Sequence, residues 1–451
     1  MSDFYSTTKD INNAEQLAAS YLRHYFKGRE IAYPINPFQM LIDEGVEFAI
    51  RDFGKLEGVF IPAKDQEDIP IVGINLNRPI TRQRFTAAHE LCHYLKDSNE
   101  QICPIIGSKS AIEKFADRFA SGILMPLGEL RTQVRRRSKN GHVDFDDILE
   151  IADYFGVSFE SCVYRVAYLI HAVQGNTEAS ELKKRINQYK PDTKRKMRGY
   201  NNVPLYEGLL DSYEHALKFI PNEFARNVFQ NNYIYNDSRM EGVDIDIETA
   251  AEIVTDIRLS KQSSQFCIEE NEAFLSIAGH AAMYSFIFEE PVPDKCSVFD
   301  TVALHRRLYS CYPYPEYGGQ FRDNNALVLG AKFETANHKD IYSMMIKIDE
   351  KVKSVFEKRD EISISEYIKT ATQLHHELTV IHPFGDGNGR TLRAFFNVMM
   401  VRNKFTPVYI KAEDKDEYVE ALAAADKFAD YAPLFEFFSR AILRTNVELT
   451  R

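Results

Sequence analysis

Two short stretches of the chain carry residue types and spacings that could do chemistry. In the first, Phe85-Thr86-Ala87-Ala88-His89-Glu90-Leu91-Cys92-His93-Tyr94-Leu95, the two histidines stand four apart, so on a helix both imidazoles share one face and converge on one metal ion. Zinc held in this way takes a third protein ligand and keeps a position for water, whose proton Glu90, beside the ligand face, can accept. Downstream, apolar residues at 112, 115, 116, 119, 120, 123 and 124 make a buried helix face flanked by Glu113. Glu113 is the candidate third ligand, although its spacing equally suits a carboxylate that caps or solvates its own helix.

The second stretch is Ile381-His382-Pro383-Phe384-Gly385-Asp386-Gly387-Asn388-Gly389-Arg390-Thr391-Leu392-Arg393. Gly387, Asn388 and Gly389 expose backbone N–H groups where an apolar helix resumes with Leu392, Ala394, Phe395, Phe396 and Val398, which makes an anion nest at a helix start. Arg390 and Arg393 add guanidinium forks for phosphate oxygens, and Asp386 offers a hard carboxylate for Mg2+. His382 can take a proton from an attacking hydroxyl near neutral pH. His375 and His376, just upstream, read as packed helix residues, because only Glu377 is at hand to extend them into a zinc set.

The elements that must position these groups follow from length and pattern. At 451 residues and 52.0 kDa, with 44% hydrophobic and 27% charged residues, the chain predicts two or three packed cores and excludes a disordered or disulfide-stapled peptide. The amino terminus lacks a basic and apolar leader and no stretch approaches eighteen apolar residues, so secretion and membrane spanning are not expected and the location is expected to be cytoplasmic. The six cysteines (Cys92, Cys103, Cys162, Cys267, Cys296, Cys311) lack a CxxC pair and read as free thiols. Residues 1–200 carry 28 basic and 27 acidic side chains, the other 251 carry 27 and 39. That acidic half disfavours strong nucleic-acid binding.

Helices are predicted at 12–26 and 36–45, then strands at 46–50, 58–61 and 69–76 forming a small antiparallel sheet, then helices at 81–96, 110–124, 145–154 and 158–172. Residues 174–200 are polar and basic and read as a linker lying on the acidic second half; contact of this linker with nucleic acid or an acidic partner is the alternative. The expected domains are therefore 1–173 and 201–451. Beyond 205 the chain is mostly helical, interrupted at 311–335, where Ala326-Leu327-Val328-Leu329-Gly330 fits a hairpin strand.

Residues 12–172 resemble the ImmA/IrrE metallopeptidases, which share the AHELxH helix, the later ExxA..FA..LLMP helix and a short preceding sheet. The resemblance implies a zincin-like α+β domain in which His89, His93 and Glu113 bind Zn2+ and Glu90 is the catalytic base. The presence of the second motif on the same chain suggests a repressor, an antitoxin or the exposed linker as peptidase substrate. Cys92 stands where the family commonly has Gly, read here as packing, with a thiolate near the metal as the alternative. The family often works beside a helix-turn-helix domain, which this chain does not show.

Residues 205–445 resemble the Fic family, whose pattern HxFx[D/E]GNGRxxR is matched at every specified position. That resemblance implies a mostly helical domain with a β-hairpin flap, transferring AMP from ATP to a Ser, Thr or Tyr hydroxyl of a target protein. By position, His382 is the base and Asp386 holds Mg2+. Gly387, Asn388 and Gly389 cradle phosphate, Arg390 and Arg393 grip its outer part, and Phe384 anchors the nucleotide loop. Leu304-His305-Arg306-Arg307-Leu308 and Gly318-Gly319-Gln320-Phe321-Arg322-Asp323 fall where the family carries the flap. Asn236-Asp237-Ser238-Arg239-Met240-Glu241-Gly242 resembles the family's inhibitory helix, [S/T]xxxE[G/N], implying that Glu241 pairs with Arg393 and displaces the γ-phosphate. Asp237 occupies the Ser/Thr position, and the adjacent Ser238 is the candidate to stand in for it.

Together the motifs predict a multidomain, two-headed regulatory or toxin-like enzyme of bacterial type, such as toxin–antitoxin systems use. The alternatives are a binding protein with a silent Fic half, a Fic enzyme that removes AMP, and one that uses another nucleotide donor. A homo-oligomer is compatible with the sequence.

Overall fold

The computed structural model describes residues 8–65, 67–97, 99–105, 110–260, 272–327 and 333–450, and it divides into two compact units, Met1–Ser212 and Tyr213–Arg451. No helix among the described residues is long and apolar enough to cross a membrane. Cys92, Cys103, Cys162, Cys296 and Cys311 are free thiols, and Cys267 lies outside the described residues.

In the first unit, α1 (Ala14–Phe26) and α2 (Pro37–Asp43) lead into β1 (Glu47–Arg51), β2 (Leu56–Ile61) and β3 (Ile71–Asn75). Then follow α3 (Ile80–Lys96), β4 (Gln101–Pro104), α4 (Ala111–Leu124), α5 (Leu127–Arg137), α6 (Phe145–Phe155) and α7 (Phe159–Arg165). The helix starts have local causes. Asn13, Asn36, Ser110 and Ser158 accept N–H bonds at their helix starts, and Asp144 forms a reciprocal capping box with Asp147. The helix expected to run to 172 changes at Val166–Ile170 into a π turn closed by His171 in the left-handed region.

The sheet is mixed, which corrects the expected antiparallel arrangement. Its order is β1-β3-β2-β4, with β1 and β3 parallel and the other pairs antiparallel. Phe48, Ile50, Val72 and Ile74 fill the core by strand alternation, so β1 and β3 present their apolar sides in the same register (Phe48 against Val72, Ile50 against Ile74). β4 was missed because Gln101-Ile102-Cys103-Pro104 is too short to show a period.

The segment expected to be a linker is folded. Residues Ala179–Tyr189 form α8 and Pro191–Met197 form α9. Three of its cations pair with α6: Lys194 with Asp146 (2.7 Å), Arg195 with Asp153 (2.8 Å), and Arg198 with Asp146 (3.2 Å) and Glu150 (3.3 Å). These carboxylates lie on one helix close in sequence and capture the basic run locally. The first unit also extends past residue 201 through α10 (Val203–Ser212), which buries Leu205, Tyr206, Leu209 and Leu210. The Asn36 side chain donates to the Gly208 carbonyl (3.0 Å) and the Ser212 hydroxyl (3.1 Å).

The second unit is helical among its described residues: α11 (Glu223–Met240), α12 (Ile247–Ser260), α13 (Glu272–Ile287), α14 (Asp300–Leu308), α15 (Ile341–Glu357), α16 (Ile364–Ile381), α17 (Asn388–Arg402), α18 (Lys415–Phe428) and α19 (Ala432–Leu449). α17 is buried nearly all round and forms the centre of the unit, with Phe396 stacked on Phe438 of α19 at 4.3 Å. Of the expected hairpin strand at 326–330, residues 328–330 lie outside the described residues, and 326–327 carry no strand.

Candidate metal centre and nucleotide site

α3 and α4 pack against each other and bring their predicted ligands together. The Nε2 atoms of His89 and His93 are 3.1 Å apart, and Glu113 places Oε2 3.3 Å from the first and Oε1 3.2 Å from the second. Bonds of about 2.0–2.1 Å to a tetrahedral zinc imply ligand separations near 3.3 Å, so these residues fit that ion. All three side chains are buried.

Two carboxylates absent from the sequence reading orient the rings. Asp117 lies 3.0 Å from His89 Nδ1 and Asp97 2.6 Å from His93 Nδ1. A carboxylate only accepts, so each Nδ1 carries the proton and each Nε2 lone pair faces the shared space. The signal was available: Asp97 follows His93 by four, just past the end of α3, and Asp117 follows Glu113 by four on one face of α4.

Glu90 is fully buried, and neither carboxylate oxygen has a hydrogen-bond partner. Burial lifts its carboxyl to about 7, with the nearby rings opposing that shift. Gly58 on β2 makes room for it: a Cβ there would fall 2.6 Å from Glu90 Oε1 and 2.4 Å from Thr86 Cγ2. Cys92 is buried and its thiol is pushed up by burial, as expected of packing.

In the second unit, α16 ends at His382, which adopts the left-handed conformation (φ 50°), and α17 begins just after Gly387 (φ 71°). The intervening loop is held from inside. Asn388 Oδ1 accepts from the Phe384 N–H (2.9 Å) while its Nδ2 donates to the Phe384 carbonyl (2.8 Å). Phe384 is fully buried and stacks on His305 at 3.9 Å, so its ring anchors the loop. Truncating such a ring typically costs about 3–5 kcal/mol.

Further residues outside the motif complete the loop. His305 Nδ1 accepts the Gly319 N–H (2.8 Å), which leaves Nε2 to donate to the Asp386 carbonyl (3.0 Å). Burial holds its pKa at about 4, so the neutral ring ties the flap region to the loop. Arg322 Nε donates to the His382 carbonyl (2.7 Å) and its Nη2 to that of Ile381 (3.2 Å), capping α16. Tyr309 donates to Asp386 Oδ2 (2.8 Å), and Arg390 Nη2 reaches the same oxygen (3.2 Å). Partial desolvation by the surrounding loop raises Asp386, but these partners outweigh it and hold the carboxyl below its usual range. An ionised, fixed and largely exposed carboxylate suits Mg2+.

Arg393 is clamped by two acids one helical turn apart on α11 and its C-cap. Its Nε donates to Asp237 and its Nη2 to Glu241 Oε1 (2.6 Å). Glu241 Oε1 also lies 3.4 Å from where a Cβ on Gly389 would stand, beside the first turn of α17. Ser238, the expected stand-in at the inhibitory helix, instead lies 3.4 Å from His280 Nδ1, because one residue along a helix turns the side chain about 100° away. Asp237 takes the position against Arg393 and accepts from His280 Nε2 (2.8 Å). Burial would raise its carboxyl, but Arg393 and His280 hold it down to about 2. His375 and His376 are buried against the Tyr418 hydroxyl (2.6 Å) and Asp426 (2.7 Å).

Two candidate sites thus stand on one chain: an HExxH cluster that could hold a metal ion and a glycine-rich loop at a helix start. Sequence comparison matches both. Residues 43–167 match the IrrE N-terminal-like domain and residues 296–400 match the Fic/DOC family, so the chain carries these two domains in that order. Its Fic domain is homologous to protein adenylyltransferases. It is similar to protein adenylyltransferase Fic of Nematostella vectensis, 29% identical over 152 residues, covering 34% of each chain. It is also similar to protein adenylyltransferase fic-1 of Caenorhabditis elegans, 28% identical over 148 residues, 33% of this chain and 27% of that one. The chain thus spans about a third or less of the length of these relatives. Among solved structures, Fic-1 (residues 134–508) from C. elegans aligns with a TM-score of 0.44 at 20% identity, over 73% of this chain and 87% of that one.

Proposed function

We propose that the second unit is a protein adenylyltransferase restrained by Glu241, and that the first is a zinc-dependent peptidase acting on a regulatory protein. The first half of this reading is carried by the loop in which His382, Asp386, the α17 start, Arg390 and Arg393 converge under one carboxylate that contacts Arg393. An incoming Ser, Thr or Tyr oxygen bonds to the α-phosphorus of ATP, the bond to the bridging oxygen breaks, and pyrophosphate leaves. His382 takes the hydroxyl proton, the N–H groups of 387–389 and Arg390 hold phosphate oxygens, and Arg393 meets the γ-phosphate once Glu241 yields. Mg2+, when bound at Asp386, supplies neutralisation of the leaving group's charge.

His382 gives this reading a pH signature. Burial, with Arg322 nearby, lowers its pKa below 6.5. A lowered pKa keeps the ring neutral to more acidic pH, so kcat/KM of the released enzyme is expected to hold constant as pH falls through 6.5 and to drop only below it. An acid limb centred above 6.5 in a pH–rate profile contradicts that assignment.

In the first unit the metal, when bound, supplies Lewis-acid activation of water and of the scissile carbonyl. Glu90 accepts the water's proton and returns it to the leaving amine. Protein purified without chelator is expected to contain stoichiometric zinc, His89→Ala to lose it, and Glu90→Gln to keep it while cleaving about 10²–10⁴-fold more slowly. Metal analysis beside intact-mass analysis of a candidate substrate tests both parts; zinc retained by His89→Ala rules out this centre.

A further inference from the structure

The acid that stands against Arg393 poses a problem of charge. An ionised Asp237 fixes the guanidinium through Nε, yet it also cancels the positive charge that a phosphate would seek there, and both groups are buried, where water screens little. His280 resolves it. The ring stands on α13, fully buried, with Nε2 2.8 Å from Asp237 Oδ2 and Nδ1 2.8 Å from the Ser276 carbonyl one turn back. A carbonyl only accepts, and so does a carboxylate that also receives Arg393, so both ring nitrogens carry protons and the ring is an imidazolium. The Ser238 hydroxyl, 3.4 Å from Nδ1, is the longer contact and can accept from the same N–H. Tyr233, whose ring centroid lies 6.4 Å from that of His280, is held neutral by burial.

We infer that His280 is a positioning residue whose positive charge offsets Asp237, so that Arg393 is held in place by an acid and still presents a cation to the outermost phosphate of a nucleotide; this rests on the reading of the second unit as an adenylyltransferase. In the resting protein Arg393 and His280 balance Asp237 and Glu241. The Tyr418 hydroxyl, which also bonds Arg393, is kept neutral by burial and leaves that balance unchanged. When Glu241 yields, the three remaining groups carry a net positive charge, and a phosphate oxygen takes the place of the departed carboxylate like for like. Without the imidazolium the Asp237–Arg393 pair is neutral, and an acid in this position works against nucleotide binding. Gly279 sets the depth of the ring: a Cβ there would collide with the Leu308 carbonyl at the end of α14, so its absence lets α13 pack closely on α14 while His280 turns to α11.

In full-length protein labelled with nitrogen-15 at histidine, the two ring nitrogens of His280, identified by their loss in His280→Gln, are expected to resonate close together at neutral pH, as in an imidazolium. A widely split pair, as in a neutral ring, overturns the inference. In the Glu241→Gly background, His280→Gln keeps a donor against Asp237 but no charge, and is expected to weaken ATP binding in the presence of Mg2+ about tenfold while ADP binding stays within about twofold, because Arg393 meets only the third phosphate. Adding Asp237→Asn, which removes the opposing charge, is expected to restore ATP affinity. A loss shared equally by ATP and ADP, no loss, or no recovery on adding Asp237→Asn overturns the role of His280 and leaves the nucleotide site standing. Failure of Glu241→Gly itself to bind ATP overturns both.

Discussion

In a Glu241→Gly background, His382→Ala is expected to slow ATP-dependent protein labelling by about 10²–10⁴-fold, the range for losing a positioned general base. The loop itself should survive the change. Its shape is fixed by the reciprocal Asn388–Phe384 bonds, by the Phe384–His305 stack and by Arg322, which reaches the backbone carbonyl of residue 382 and not its ring. The left-handed conformation at His382 adds a modest cost that Ala bears about equally. Nucleotide affinity should therefore change little while the chemical step collapses. Initial rates of AMP incorporation beside equilibrium ATP binding separate the two, and labelling within threefold of the background removes His382 as the base.

Glu241→Gly alone is expected to raise labelling about 10–100-fold. The contact it removes is a charge-assisted hydrogen bond at 2.6 Å to a buried guanidinium, and such bonds contribute about 1.5–3 kcal/mol. The carboxylate also sits beside the positive start of α17, where nucleotide phosphate is expected, so its removal frees both a donor and a space. Arg393 does not go slack in the variant. Asp237 still holds its Nε, and His280 fixes Asp237 in turn, so the guanidinium keeps its aim with Nη2 free for phosphate. That is the physical sense of an acid at a position where the resemblance implied Ser or Thr. Asp237→Ser should accordingly lower the rate of the released enzyme, opposite in sign to Glu241→Gly.

Much of both sites was legible because their ligands are local. Four-residue spacing on a helix placed His89 with His93 without any tertiary knowledge, and the run from His382 to Arg393 carries base, carboxylate, anion nest and arginines within a single turn and helix start. The apolar stripe of α4 located Glu113, though only the packing of α4 on α3 shows its carboxylate turned to both imidazoles. What stayed hidden came from long-range pairing. β4 is a four-residue strand whose register depends on β2, and His280 meets Asp237 across two helices. The parallel pairing of β1 with β3 is invisible to strand alternation, which reports a buried face and not a direction. The basic run at 183–198 misled because composition resembles a linker whether its cations meet water or, as here, the acids of α6.

The most direct test is calorimetric titration of ATP with Mg2+ into the parent protein and into Glu241→Gly. Restraint of the nucleotide loop by Glu241 implies weak binding by the parent and at least about tenfold tighter binding by the variant, a difference of about 1.4 kcal/mol, lost again when Arg390→Ala is added. Absence of nucleotide binding in both proteins, or equal affinity with and without Glu241, contradicts it.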